Sequence, residues 1–248
     1  HNHHVLANWL HVRPDLRDGG MVQAFADAGY HTAYTGKWHV PGTSPGRLGF
    51  ASSVAIPDVI DGRDRGRHIS EYRAYATALG YQLDPADLEN LTFTEQQMTL
   101  PNSDVLCGTS EIPLEHHLET WQTTQFLRQL KERPQDKPFF AVCSHNAPHF
   151  PMIVPEPYAS LIHPDEVVLP PNFNAGLEGK PAEVRSSKHY QKTKGLDERA
   201  WRSLIAHYWG FCSLIDAQVG RVVDWLRENG LYQDTIIVYL SDHGDMIG

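Results

Sequence analysis

DLRDGGMVQAFADAGYHTAYTGKWHV, residues 15–40, joins a helix to a strand within one short run. Leu16, Met21, Val22, Phe25 and Ala28 recur at helical spacing, Gly29 supplies the stop, and YHTAYTGKW continues as an apolar strand. Alternation along that strand places Lys37 and His39 on one face and Trp38 on the other. The indole can then pack while an ammonium and an imidazole reach toward one ligand.

The same helix-then-strand order recurs twice downstream. PLEHHLETWQTTQFLRQLKER (113–133) reads as an amphipathic helix through Leu118, Trp121, Thr124, Phe126, Leu127 and Leu130, and FFAVCSH (139–145) follows as a short buried strand. DERAWRSLIAHYWGFCSLIDAQVGRVVDWLRENG (197–230) is a long helical pattern ending at Gly230, and TIIVYLSDHG (235–244) is a β-branched strand running into a loop. Between these units the periodicity fades. Residues 40–114 read mostly as loop with one short helix at SEYRAYATALG (70–80), 146–173 is studded with proline, and 176–195 carries no readable element. Three helix-strand units imply an α/β fold, a largely parallel central sheet covered by helices on both faces.

Composition narrows the function. The 248 residues are 41% hydrophobic, enough for a large core and one domain. Lys and Arg number 21 against 30 Asp and Glu, a net charge of −9, which argues against binding nucleic acid because backbone phosphates need surplus cations. The three cysteines, Cys107, Cys143 and Cys212, are too few and too far apart for a disulfide framework or a paired-cysteine metal site. No apolar run reaches the roughly 18 residues of a membrane span.

In a parallel sheet, ligands collect beyond the carboxyl ends of the strands. Those ends here read GKWH, SHNAPHFP and LSDHGD, so Lys37, His39, His149, Asp242 and His243 are expected to converge. Asp242 and His243 pair a carboxylate with an imidazole where Gly244 releases the strand. The carboxylate suits Ca²⁺, Mg²⁺ or Mn²⁺ and the imidazole leaves room for Zn²⁺; the alternative is that both groups bond the local turn. His145 and His149 stand four apart, but Pro148 opposes the helix a zinc-binding pair requires. Pro148 and Pro151 instead hold His149 stiffly beyond its strand, which suits a general acid or an anion contact. GTSPGRLG lacks the lysine of a phosphate-binding loop, and no Gly-x-Ser-x-Gly surrounds Ser241. His116 and His117 open a helix as caps, Asn90 heads a bare sequon, and the basic stretch 180–202 reads as a solvated loop.

Taken together, HNHHVLANW, GYHTAYTGKWHVPG, SEIPLEHH, FFAVCSHNAPHFP, PEPYASLIHPDEVVLPPNF and LIDAQVGRVVDWLRENGLYQDTIIVYLSDHGD resemble, in order, segments of the formylglycine-dependent sulfatases of the alkaline phosphatase superfamily. The resemblance spans nearly the whole chain. It implies hydrolysis of a small-molecule or saccharide sulfate ester by a formylglycine nucleophile. Lys37 would bind that nucleophile and a sulfate oxygen, and His39 would take the proton that lets the hemiacetal collapse. His149 would contact the sulfate and protonate the leaving oxygen. Asp242 and His243 would ligate a divalent metal, Ca²⁺ foremost, and a formylglycine-generating maturation enzyme would be a partner.

Three parts of the family pattern are missing: the nucleophile motif, an acidic metal-ligand pair expected before it, and a lysine expected beyond SDHGDMIG. The nucleophile belongs in Cys-x-Pro-Ser-Arg or its serine form, and the three cysteines stand instead in LCGT, VCSH and FCSL. The expectation is a single incomplete sulfatase-type catalytic domain over 1–248, an internal fragment truncated at both ends and inactive alone. A phosphodiesterase or phosphonate monoester hydrolase of the same superfamily is the enzymatic alternative. A non-catalytic binding protein that keeps the fold is the other.

Overall fold

The computed structural model describes residues 20–38, 40, 43–57, 70–81, 98–99 and 105–245. In chain order the main elements are helix α1 (Met21–Asp27), strands β1 (His31–Trp38) and β2 (Ser52–Pro57), helix α2 (Ser70–Ala78), strands β3 (Met98–Thr99) and β4 (Val105–Thr109), and helix α3 (Leu118–Glu132). Strands β5 (Phe139–Ser144) and β6 (Met152–Val154) and helices α4 (Ala182–Ser186), α5 (Lys188–Thr193) and α6 (Glu198–Glu228) follow. They form two compact units. The first draws on 1–88, 115–146 and 218–233, the second on 89–114, 147–217 and 234–248.

The first unit is built on a parallel sheet in the order β2-β1-β5. The turn into it is the one the sequence promises. Gly29 sits at φ +87°, its N–H bonds the Ala26 carbonyl, and the Tyr30 N–H reaches back to Phe25 at 3.0 Å. That pair of bonds satisfies carbonyls the helix end leaves open, and a Phe25–Tyr30 ring contact at 5.2 Å seals it. On one face of the sheet Tyr34, Trp38 and Phe50 form a buried cluster with Val22 of α1, and Phe25 stacks on Phe140 at 4.4 Å. On the other face α3 crosses, its Gln129 donating to Thr35 Oγ1 at 2.6 Å and accepting from Ser52 Oγ at 2.8 Å. The fold class is therefore α/β, a parallel sheet with a helix on each face.

Helix α3 differs in one respect from its expected face. Glu119, Gln122 and Thr123 are buried beside Leu118, Trp121, Phe126 and Leu130, while Thr124 is exposed and accepts from Arg221 Nη2 at 3.0 Å. A helix packed on both a sheet and α2 buries a wider arc than one apolar stripe, and Tyr72 of α2 meets Trp121 at 5.4 Å.

In the second unit β3 pairs antiparallel with β4, and β4 pairs parallel with β6. Both β4 and β6 lie in stretches that read as loop, as does β2 of the first unit. They are too short to show a period. The polar run 176–195 contains the short helices α4 and α5. Helix α6 buries Leu204, Ile205, Ala206, Phe211 and Leu214 here. A methyl group on Gly210 would lie 2.4 Å from the Tyr158 carbonyl oxygen, so this helix packs against bare backbone.

The expected third strand is a correction. Residues 235–244 belong to no sheet among the described residues, and Ile236 is 92% and Val238 72% exposed. A β-branched run becomes a strand only when a neighbour accepts its backbone bonds and its side chains, and none of the described residues does. Also among the described residues, no helix is long and apolar enough to cross a membrane.

Candidate active site

Lys37 is the penultimate residue of β1 and is half-buried. Its position follows from the residue before it. Gly36 has φ +105°, and a methyl group there would sit 1.8 Å from the Ser144 carbonyl oxygen. Only glycine lets the carboxyl ends of β1 and β5 close this tightly. Trp38 turns into the apolar cluster as alternation predicts, 5.0 Å from the Tyr34 ring, with its Nε1–H donating to the Thr43 carbonyl at 3.1 Å. The Tyr34 hydroxyl donates to the Lys37 carbonyl, tying the backbone under the lysine. The strand tip is thus held by side-chain packing, a hydrogen bond and the neighbouring strand. His39 lies outside the described residues.

The carboxyl end of β5 carries a group that sequence reasoning left without a role. His145 is nearly buried and its Nδ1 lies 2.8 Å from Glu119 Oε2, itself buried on α3. Its Nε2 lies 3.6 Å from Cys143 Sγ. Burial disfavours a charged ring, but the Cys143 sulfur and the Glu119 carboxylate outweigh that and push the His145 pKa up to about 10. The available signal was Glu119 itself. It falls on the same helical face as Phe126, where an acid must find a buried partner.

His149, Asp242 and His243 belong to the second unit, Lys37 to the first. His149 is half-buried, and its Nδ1 lies 2.6 Å from the Phe150 carbonyl. That fixes Nδ1 as the donor, so the neutral ring carries its lone pair on Nε2. Asp242 and His243 are brought together only by adjacency, with side chains 80% and 63% exposed and His243 Nε2 3.9 Å from Asp242 Oδ2. Both bond their own turn. The His243 N–H donates to Asp242 Oδ1 at 3.0 Å, and His243 Nδ1 lies 2.9 Å from the Gly244 carbonyl. Their donor chemistry suits a divalent cation, yet such ions take about six ligands, and no third His, Cys, Asp or Glu joins them among the described residues.

Cys107 is buried on β4, Cys143 partly buried on β5, and Cys212 exposed on α6. In the basic stretch, Arg185 donates to the Leu177 carbonyl and Lys194 to Gln191, both local contacts on the surface.

Comparison with known proteins gives a consistent picture. The family model described as Sulfatase matches residues 1–248. The multifunctional alkaline phosphatase superfamily protein PehA of Trinickia caryophylli is 28% identical over 267 residues, covering 100% of this chain and 50% of that protein. An arylsulfatase of Clostridium perfringens is 32% identical over 133 residues, 53% of this chain and 27% of its own length. An ulvan-active sulfatase of Formosa agariphila is 24% identical, covering 92% and 35%. The chain therefore spans about half or less of the length of these relatives. Among solved structures, a phosphonate monoester hydrolase from Silicibacter pomeroyi superimposes with a TM-score of 0.67 at 21% identity, covering 92% of this chain and 47% of that one.

Proposed function

Because this chain belongs to the sulfatase family, we propose that the whole protein is a sulfuric ester hydrolase in which Lys37, His39 and His149 act on the sulfuryl group. The observation that carries this reading is the placement of Lys37. It stands at the carboxyl end of a parallel strand, where such sheets hold ligands, and Gly36 locks that end against β5. A sulfuryl group gathers negative charge on its peripheral oxygens as the ester bond breaks, and a fixed ammonium opposes that charge most strongly where water is scarce.

The other residues take complementary tasks. With Nδ1 engaged by the Phe150 carbonyl, a protonated His149 presents Nε2–H as the acid for the departing alcohol oxygen. His39, two residues beyond Lys37, is assigned the base. A divalent ion, calcium foremost, supplies counter-charge to the sulfate when bound. Asp242 and His243 are its assigned ligands, but two exposed groups bonded to their own turn do not complete a site, so no step here runs through the ion. Formylglycine is the nucleophile the resemblance implies for the whole protein, with Lys37 as its contact.

A second reading, hydrolysis of a phosphate or phosphonate ester, is favoured by the similarity of the entire chain to a multifunctional protein of the superfamily. The same fixed positive charge serves either anion. The test is a panel of aryl and saccharide sulfates, phosphodiesters and phosphonate monoesters given to the whole protein and to Lys37→Ala. Sulfate esters are expected to turn over fastest, and the variant to lose on the order of a hundredfold to a thousandfold in kcat. A variant with ordinary turnover removes Lys37 from the site. A panel with no turnover at all supports the non-catalytic reading.

A further inference from the structure

The first unit holds a cluster for which the sulfatase reading has no use. Cys143 Sγ lies 3.6 Å from His145 Nε2, and His145 Nδ1 lies 2.8 Å from Glu119 Oε2. A sulfur, an imidazole touching it and a carboxylate fixing the ring's far nitrogen is the order in which a thiol is activated. The sequence builds this order locally. Cys143 and His145 are two apart at the end of β5, so they leave the sheet on one side, and the register pairs Cys143 with Thr35, whose hydroxyl α3 already holds through Gln129. Glu119 lies on that helix. A buried carboxylate needs a cation, and His145 is the partner the structure gives it.

We propose that Cys143 is a reactive thiol, its sulfur touched by His145 and that ring oriented by Glu119, that undergoes exchange with low-molecular-weight disulfides. The Cys143 sulfur attacks one sulfur of R–S–S–R, a Cys143–S–S–R bond forms, and R–S⁻ departs and takes a proton from water. The proton given up by Cys143 passes to water, so the exchange is proton-neutral. The disulfide is the sole oxidant, and reduction by a free thiol reverses the step. This site is independent of the sulfate chemistry proposed above.

His145 is held protonated well above neutral pH, so Nε2–H donates to the sulfur and Nδ1–H to Glu119. The phenols facing the cluster are Tyr34 of β1, near Cys143, and Tyr72 of α2, near Glu119. Burial pushes both upward, so each is neutral and adds no competing charge. The other two cysteines are internal controls. Burial pushes the Cys107 thiol up to about 12, with the Ser203 hydroxyl 3.9 Å away. Burial and Asp245 raise the thiol of the exposed Cys212.

The experiment exposes the whole folded protein to the disulfide of 2-hydroxyethanethiol, and separately to iodoacetamide, from pH 6 to pH 8.5, and follows each cysteine by peptide mass. At pH 6 Cys143 is expected to react at least about tenfold faster than Cys212. His145→Gln should bring Cys143 down to the rate of Cys212. If Cys143 reacts no faster than Cys212 at pH 6, or if His145→Gln leaves its rate unchanged, the proposal is wrong. Alkylation without formation of the mixed disulfide overturns the exchange step. Should His145→Gln fail to fold, the unmodified protein's rates at pH 6 decide alone.

Discussion

Residues 31–38 and 235–244 carry one sequence signal, a β-branched or aromatic run ending in a polar tip, and the molecule treats them in opposite ways. Strand β1 is central in its sheet, with Ala33, Tyr34, Thr35 and Trp38 buried and parallel partners on both sides. Residues 236–240 are exposed throughout and paired with none of the described strands. Composition makes a strand available, and neighbours on either edge make it real. The tips differ accordingly. Lys37 takes its placement from the ladder beneath it, whereas Asp242 and His243 close a turn on themselves.

The sharpest way to break this contrast is to add one carbon atom at each tip. At Gly36 the added methyl meets the Ser144 carbonyl oxygen at 1.8 Å and the backbone has φ +105°; at Gly244 it meets nothing within 4 Å. Gly36→Ala is expected to cost about 3 kcal/mol or more, from overpacking against backbone together with an unfavourable dihedral. Gly244→Ala should stay within about 0.5 kcal/mol. Urea midpoints measure both. Equal midpoints would mean that the ends of β1 and β5 are not in contact.

The same point is sharpened through pH. The first unit buries an ionised pair beneath its tip, and the second unit's His243 and Asp242 are largely exposed. The folded His145 pKa, about 10, lies above its ordinary 6.5. The stabilisation is therefore complete below about pH 6.5 and is lost as pH rises toward 10. Unfolding free energy should fall over that window by roughly 5 kcal/mol, at about 1.4 kcal/mol per pKa unit, and His145→Gln should flatten the slope. A flat profile in the parent would show that the ring is neutral when buried.

How much of this was legible follows from the same physics. The join of α1 to β1, the body of α3, strand β5 and helix α6 all announce themselves, because long periodic segments and a glycine at a helix end are local signals. The polar contacts that matter most were invisible. Nothing near Glu119 in sequence says that His145, 26 residues on, will meet it, and nothing near Gly36 says that the Ser144 carbonyl will press on it. Both depend on strand register, which tertiary pairing fixes. Strands β4 and β6, five and three residues long, were lost because short apolar runs have no period to read. For 235–244 the local signal was strong and pairing did not follow it. At the candidate site, the packing order that holds Lys37 was not readable.

The smallest expected effect tests the exposed segment itself. Ile236 is 92% exposed, so Ile236→Thr removes apolar surface that folding never withdrew from water, and a β-branched shape is kept. Stability should change by less than about 0.5 kcal/mol, much of it through the unfolded chain. Ala33 of β1 is fully buried, and a polar replacement there has no such latitude. Amide exchange gives an independent measure. Backbone N–H groups of 236–240 should exchange at rates near those of an open chain, while those of β1 wait on opening of the whole sheet. If Ile236→Thr costs more than about 1 kcal/mol, or if 236–240 exchanges as slowly as β1, the segment is docked as a strand, and the contrast between the two tips disappears with it.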